Sequence, residues 1–273
     1  MEIRVLGSGA WEGIPAPFCG CRVCKAAANK DSKDNRFRPS FQITNNDKSF
    51  IMEASPDIRL QSQKFKLGRV NDFLISHWHF DHMYGLLELD SLGKFQKLKI
   101  YCSAHTKEWL DKNFVHIPKE VRVLTPYQSF ELFGVKITCL PLFHMKNRDE
   151  GLSLTENTFG YLLEANGKKV AYMADFYEVP EKVFQLIENS DVLITDGTYL
   201  FENLIPARSG YLYLKKDPDH LHSEEILEFI SKVNPRLAII HSISHLTEKK
   251  HSELQKLLPK NTNLAFDGML IKV

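Results

Sequence analysis

The stretch His77-Trp78-His79-Phe80-Asp81-His82 sets three imidazoles and one carboxylate within six residues. The apolar run Phe73-Leu74-Ile75 leads into it, and a run of helical character, residues 83–92, follows. In an extended or loop segment alternate side chains point the same way, so His77 and His79 reach one ion together. Asp81 and His82 stand past the bend and turn toward a second. Imidazole and carboxylate donors suit zinc, manganese or iron(II). Surface histidines beside a helix-capping aspartate account for one or two of these residues, not for four at this spacing.

Upstream, residues 2–6 alternate as a strand and Gly7-Ser8-Gly9 ends it. The G-x-G-x-x-G spacing and a following Lys-Ser/Thr are missing, which removes a phosphate loop. Cys19, Cys21 and Cys24 follow as C-x-C-x-x-C. Thiolates at that spacing fill three corners of a tetrahedral zinc site and need a fourth ligand from elsewhere. Three reduced thiols in a loop, or a redox pair, are the other readings. Strands at 41–44 and 49–53 flank the turn-forming set Asn45-Asn46-Asp47-Lys48. A helix is expected over 58–65, then a buried strand, 70–76, that ends at the histidine cluster.

Downstream, strands are expected at 98–102, 121–124, 129–133 and 135–140, the last ending in Pro141-Leu142-Phe143-His144. His144 stands at a strand end where a metal site already needs a third imidazole. Cys102 and Cys139 sit in apolar runs and read as buried thiols. Asn166-Gly167 joins strands 159–165 and 168–174 as a type I′ hairpin. The second strand ends at Asp175, either a helix N-cap or a bridging carboxylate. A helix over 181–189 and a strand over 191–195 lead to Asp196. His220-Leu221-His222-Ser223 precedes a helix over 224–233, with Ser223 as N-cap and Glu224 and Glu225 favoured in the first turn. Strand 236–240 ends at His241, and His245 follows four residues on. A helix over 249–258 carries His251 as a surface residue, and 264–266 with 269–273 close as a hairpin around Asp267-Gly268. Residues 145–158 and 200–219 are polar or irregular; Arg208, Lys215 and Lys216 in the latter are solvated charges or contacts to an anion.

The chain has 273 residues, 43% hydrophobic and 25% charged, enough for a sizeable core. A net charge of +1 gives no field that argues for nucleic acid or a membrane. No run approaches the ~20 apolar residues of a membrane span. Met1-Glu2-Ile3-Arg4-Val5-Leu6 enters a strand without a basic-then-apolar leader, so a cytoplasmic protein is expected. Five cysteines, three of them clustered, point to metal rather than disulfides. No repeat or linker is evident. Two β-rich halves with helices outside them predict an α+β fold, a four-layer αββα sandwich, as one domain over 1–273.

His77, His144, Asp175, Asp196, His222 and His241 all stand at or just past apolar strand ends, where layered folds build chemistry. Seven metal-type ligands would serve two ions: His77, His79 and His144 for one, Asp81, His82 and His241 for the other, with Asp175 bridging. This order of residues resembles the metallo-β-lactamase superfamily. More narrowly, the chain is similar to the phosphoribosyl cyclic phosphate phosphodiesterases of phosphonate breakdown. That resemblance runs through Leu6-Gly7-Ser8-Gly9, the cysteine loop, Leu140-Pro141-Leu142, His144, Phe159-Gly160-Tyr161-Leu162-Leu163-Glu164, Ile243-Ser244-His245 and Phe266-Asp267-Gly268-Met269.

The resemblance implies two divalent ions, zinc or manganese, in an active site that cleaves a small cyclic phosphodiester of phosphoribosyl or nucleoside type. It implies a structural zinc on Cys19, Cys21, Cys24 and His245. It makes His222 a catalytic acid, lets Asp81 both ligate and orient the nucleophile, and gives Asp196 an N–H from a ligand histidine. A small-molecule substrate, no membrane or nucleic-acid partner, and a homodimer are implied as well. Glu53 stands where the family carries aspartate, His241 and His245 are one residue further apart, and loops 145–158 and 200–219 are longer and would frame the substrate. Lactone or thioester hydrolysis, RNA processing, and a non-catalytic accessory role in cofactor biosynthesis are the alternatives on the same fold.

Overall fold

A computed structural model describes residues 1–89, 97–144, 158–201 and 220–273. The loops expected to frame a substrate fall outside these, apart from residues 158, 200 and 201, and so do Arg208, Lys215, Lys216 and the end of the 83–92 run.

Two sheets of seven strands face one another. The first runs in space β14 (Leu270–Lys272), β1 (Glu2–Gly7), β2 (Ser40–Asn45), β3 (Lys48–Met52), β4 (Asp72–Leu74), β5 (Leu98–Cys102), β6 (Lys119–Val123). The second runs β13 (Thr262–Leu264), β12 (Leu237–His241), β11 (Val192–Asp196), β10 (Lys168–Met173), β9 (Thr158–Ala165), β8 (Val135–Leu142), β7 (Ser129–Leu132). Strand alternation decides what each face meets. On β3, Phe50 and Met52 enter the larger core while Ile51 joins the smaller one. Around β4, Leu74 does the first, and Phe73 and Ile75 the second. The smaller core is closed by Ile58 and Leu110 from helices Ile58–Lys64 and Ala104–Asn113. Helices Glu181–Ile187 and Ser223–Val233 cover the second sheet through Val183, Ile187, Ile226 and Phe229. The result is the αββα sandwich that the sequence pattern predicts.

Contacts between the sheets are specific as well as apolar. Phe41 meets Tyr172 edge to face at 5.3 Å, and Tyr101 stacks on Phe130 at 5.3 Å. The Tyr161 hydroxyl donates to the Ile75 carbonyl at 2.7 Å, and the Phe159 N–H donates to the Ser76 carbonyl at 3.1 Å. Each fully buried Phe, Leu or Ile contributes roughly 1.5–3 kcal/mol. Exposed helix pairs such as Lys112–Glu108 contribute about 0.3–0.5 kcal/mol. The inter-sheet layer therefore holds the fold. Strands β3 to β6 and β10 to β13 pair in parallel, so their C-terminal ends share one edge. That edge carries His77 after β4, Asp175 after β10, and Asp196 paired with His241 at the ends of β11 and β12.

Four local expectations change. The C-terminal hairpin does not form: β13 pairs with β12 and β14 with β1, because the two apolar runs find partners in different sheets. Asp267 between them instead takes N–H bonds from Ser8 and Phe37 at 2.9 and 2.7 Å. His251 is buried, with its Nδ1 2.9 Å from the guanidinium of the fully buried Arg36. His222, not Ser223, stands at the N-cap; the Ser223 hydroxyl accepts from the Phe201 N–H and donates to the Tyr199 carbonyl. The helix after the hexad begins at Phe80, so Asp81 and His82 lie in its first turn, and it tightens into a 3-10 turn at Tyr84–Leu89.

That turn packs against backbone. A Cβ on Gly85 would stand 2.0 Å from the Ser55 carbonyl oxygen and 2.7 Å from that of Ala54. Gly85→Ala is expected to cost about 1–3 kcal/mol of unfolding free energy, read by denaturant titration of the purified variant; a wild-type midpoint would contradict this close approach.

Candidate metal centre

The cradle is made by the ends of buried strands. His77 is fully buried, and its Nδ1 lies 2.8 Å from the Ser76 hydroxyl. That leaves Nε2 facing inward, 3.8 Å from Asp175 Oδ2. His79 Nδ1 and His144 Nε2 are 3.3 Å apart, and His144 Nε2 is 4.0 Å from the same Asp175 oxygen. On the other side, His82 Nε2 stands 3.3 Å from Asp81 Oδ2 and 3.4 Å from Asp175 Oδ2. Two N or O donors at about 2.1 Å from one ion, at a tetrahedral angle, are about 3.4 Å apart. The three spacings of 3.3–3.4 Å match that figure, and the two from His77 and His144 to Asp175, 3.8 and 4.0 Å, are longer.

Donor atoms of His77, His79, His144 and Asp175 lie within 4.8 Å of one another, as do those of Asp81, His82 and Asp175. Asp175 belongs to both sets. His77 Nε2, His82 Nε2 and Asp175 Oδ1 are buried and have no hydrogen-bond partner. Buried polar atoms are otherwise paired in folded proteins, so this donor set fits divalent cations.

Electrostatics divide the imidazoles. Burial, then the neighbouring imidazoles, hold His77 well below its ordinary value. Burial and His144 hold His79 at about 4. Burial also disfavours charge on His82, but Asp81, Asp175 and Glu53 outweigh it and hold His82 well above its ordinary value. Burial would raise Asp175, but His82 and the other imidazoles hold it well below the carboxylate range. Glu53, fully buried, places Oε2 3.4 Å from His82 Nδ1 and accepts from the Tyr172 hydroxyl at 3.0 Å through Oε1. A carboxylate behind a ligand imidazole fixes its orientation, and here a glutamate reaches it from a left-handed backbone, φ 60°.

His241 is not in these donor groups, although Asp196, Asp175 and His82 lie close enough to act on its charge. It lies within β12, so alternation turns its ring into the inter-sheet layer, stacked on Tyr172 at 5.5 Å and edge-on to Phe41 at 5.2 Å. Its Nε2 is 3.4 Å from the Met173 carbonyl oxygen. His222 is also outside the donor groups; its ring stacks on Tyr199 at 5.1 Å. The histidine that the fold does bring in is His220, which the sequence reading passed over. Its Nδ1 is 2.7 Å from Asp196 Oδ2, its ring is 5.1 Å from that of His144, and it groups with Asp175 and Asp196. Asp196 thus pairs with an imidazole, and its other oxygen accepts from Thr198 N–H and O–H at 3.0 and 2.7 Å. The available signal was the His220-x-His222 spacing itself, which repeats that of His77 and His79.

The cysteine loop forms a separate cluster. Cys19, Cys21, Cys24 and His245 bring their donors within 4.8 Å of one another. His245 Nδ1 is 3.4 Å from the Cys19 sulfur and 3.7 Å from that of Cys21. Sulfur and nitrogen sharing a tetrahedral zinc stand about 3.6 Å apart. Burial pushes the Cys24 thiol up to about 12. Burial also opposes Cys21 ionisation, but the Cys24 N–H and His245 bring it down to about 7. Four protein donors leave no open position, which marks a structural rather than a reactive site.

Residues 48–242 match the β-lactamase superfamily domain. The octanoyltransferase of Porphyromonas gingivalis (strain ATCC BAA-308 / W83) is 22% identical across 98% of this chain and 51% of that protein, so the chain spans about half of that relative's length. A diphosphatase from the PhnP family superposes with a TM-score of 0.81 at 24% identity, over 99% of this chain and 96% of that one. Zinc-bound PqqB from Methylobacterium extorquens superposes with a TM-score of 0.85 at 23% identity, over 100% of both chains. No helix among the described residues is long and apolar enough to cross a membrane.

Metal uptake at the two-ion centre should depend on pH through His82, apart from the thiol protons that the cysteine cluster gives up to zinc. His77 and His79 are neutral at pH 7 and add no dependence there, whereas His82 must give up a proton held well above its ordinary value. Affinity is therefore expected to rise with pH across neutrality, with proton release on binding. Calorimetric titration of manganese, which thiolate sites bind poorly, into apoprotein in buffers of different ionisation enthalpy reads that release; pH-independent affinity from 6 to 8 would contradict it.

Proposed function

The chain belongs to the β-lactamase superfamily, with the metallo-β-lactamase fold of its hydrolases, and we propose that it cleaves a phosphodiester, a small cyclic phosphate, with two divalent ions, zinc or manganese. One observation carries the reading: a single buried carboxylate, Asp175, is shared by two adjacent sets of metal-type donors. His77, His79 and His144 would hold one ion with Asp175, and Asp81 and His82 the other with the same carboxylate. The cysteine cluster with His245 would hold a third, structural zinc. His241 stands outside these groups, with its ring against Tyr172 and Phe41, and is not assigned to an ion.

When bound, the two ions lower the pKa of water toward neutrality and polarise phosphoryl oxygens. The residues around them do the rest. Asp81, buried at 5% exposure beside His82, orients the nucleophile. Glu53 holds His82 in place. His220 donates a proton to the departing alkoxide. Asp196 receives the His220 Nδ1–H at 2.7 Å and so fixes the imidazole, and Thr198 fixes Asp196 in turn. This moves the acid from His222 to His220.

A second reading, hydrolysis of an acyl thioester at the same centre, draws on the likeness to an octanoyltransferase over half of that protein. A panel of bis(p-nitrophenyl) phosphate, nucleoside 2′,3′-cyclic phosphates and octanoyl-coenzyme A, each with zinc or manganese, separates the two. Cleavage of the phosphates is expected; cleavage of the thioester alone would replace the reading. His220→Ala is expected to lower kcat about 10²–10⁴-fold with metal content intact, and His222→Ala to change it far less. Loss of an ion from His220→Ala would make His220 a ligand instead, and a larger loss in His222→Ala would return the acid to that residue.

A further inference from the structure

One buried carboxylate takes no part in the reaction proposed above. Glu12 is 8% exposed and stands in the loop between β1 and the cysteine cluster, next to Trp11. Its Oε1 accepts from the Ser244 hydroxyl at 2.7 Å and from the His245 N–H at 3.3 Å. Its Oε2 is buried and has no hydrogen-bond partner. Buried carboxylate oxygens are otherwise paired, so this one points to a donor within reach. The loop that carries Glu12 is anchored on both sides. The Ala10 N–H donates to the Ile243 carbonyl at 3.1 Å, and the Ile243 N–H to the Ser8 carbonyl at 3.0 Å. The Trp11 carbonyl accepts from Arg38 Nε at 2.7 Å, and Arg38 is pinned to Asp57 by contacts of 3.0 and 3.2 Å. The carboxylate is thus held against Ser244 and His245 by backbone on either side of it.

The donor is on His245. Its Nδ1 faces the sulfurs of Cys19 and Cys21, at 3.4 and 3.7 Å. An imidazole that gives the Nδ1 lone pair to a cation carries its proton on Nε2. That nitrogen lies 3.9 Å from Glu12 Oε1. A ligand histidine gives its second N–H to a carboxylate, carbonyl or water, which fixes the ring and makes it a stronger donor to the metal. We propose that Glu12 is the positioning residue of the cysteine-cluster metal, the acceptor that orients His245 through Nε2–H while Nδ1 faces the ion. The proposal rests on the zinc reading of Cys19, Cys21, Cys24 and His245. It adds a residue from the Trp11 loop to that site, so that metal affinity depends on a side chain that touches neither the ion nor a thiolate.

Cobalt(II) titrated into metal-stripped, reduced protein tests it. Thiolate-to-cobalt charge transfer in the near ultraviolet reports the cysteine cluster and not the histidine–carboxylate centre. Wild type, Glu12→Gln and Glu12→Ala are compared, and the denaturant midpoint of each is measured without metal. The wild type is expected to show the band. Loss of an outer partner costs about 10–100-fold in metal affinity. Glu12→Gln, which keeps an uncharged acceptor, should fall near the lower figure and Glu12→Ala near the upper. The metal-free midpoint of Glu12→Gln should stay close to that of the wild type, because its amide oxygen still accepts from Ser244 and the His245 N–H. Equal affinity in wild type and Glu12→Gln overturns the role of Glu12 and leaves the zinc reading standing. A lower metal-free midpoint with unchanged affinity marks packing alone and overturns it too. No charge-transfer band in the wild type overturns the zinc reading and this proposal with it. If Glu12→Ala does not fold, the isosteric Glu12→Gln decides.

Discussion

A buried negative charge organises this molecule. Asp175 is 6% exposed, yet its carboxylate lies among His77, His82, His144 and His220. Removing a carboxylate from water costs several kcal/mol unless partners compensate. The imidazoles do this in part, and His82 does so by holding a proton. Divalent cations would do it more fully and would satisfy the orphaned His77 Nε2, His82 Nε2 and Asp175 Oδ1. The same arrangement that strains the protein without metal is what would bind two ions side by side.

Keeping that carboxylate in place falls to the sheets. Asp175 follows β10, His77 follows β4, and these strands belong to different sheets. The two positions stay aligned only while the sheets keep their register. Tyr161 to the Ile75 carbonyl, Phe159 to the Ser76 carbonyl and Tyr172 to Glu53 are the hydrogen bonds that cross near the site. Glu53 is central here: one oxygen faces Tyr172 and the other approaches His82. A longer side chain than aspartate, delivered from a left-handed backbone position, still reaches the imidazole.

A second polar system braces the opposite end of the edge. Arg36 is fully buried and donates to the Ser8 hydroxyl and the Ala265 carbonyl, with His251 Nδ1 alongside. Burial lowers its pKa to about 10 and raises that of nearby Asp267 to about 6. Glu12 accepts from the Ser244 hydroxyl at 2.7 Å and the His245 N–H at 3.3 Å. These bonds tie the cysteine cluster, the Trp11 loop and the segment after β12 to one another. A structural zinc there would stabilise the rim of the cleft and stay out of its chemistry.

Much of this was legible from residue order. Period-two alternation in strands 41–44 and 49–53, the Asn166-Gly167 turn and the density of donors in 77–82 are local signals, because each is fixed by neighbours in sequence. They specified the sandwich and pointed to His77, His79, Asp81, His82, His144 and Asp175, which the fold places in two adjoining groups. What sequence could not settle was the direction of a side chain at a strand end. His241 and His220 carry the same imidazole, but the pleat of β12 turns one ring onto Tyr172 while the approach to the Ser223–Val233 helix carries the other to Asp196. The pairing of β14 and the burial of His251 were likewise settled by partners more than two hundred residues away, β1 and Arg36. Residue types and spacing determined which chemistry this chain can perform; only tertiary packing, by choosing which face each ring turns to, decided which of its histidines stand at the cleft.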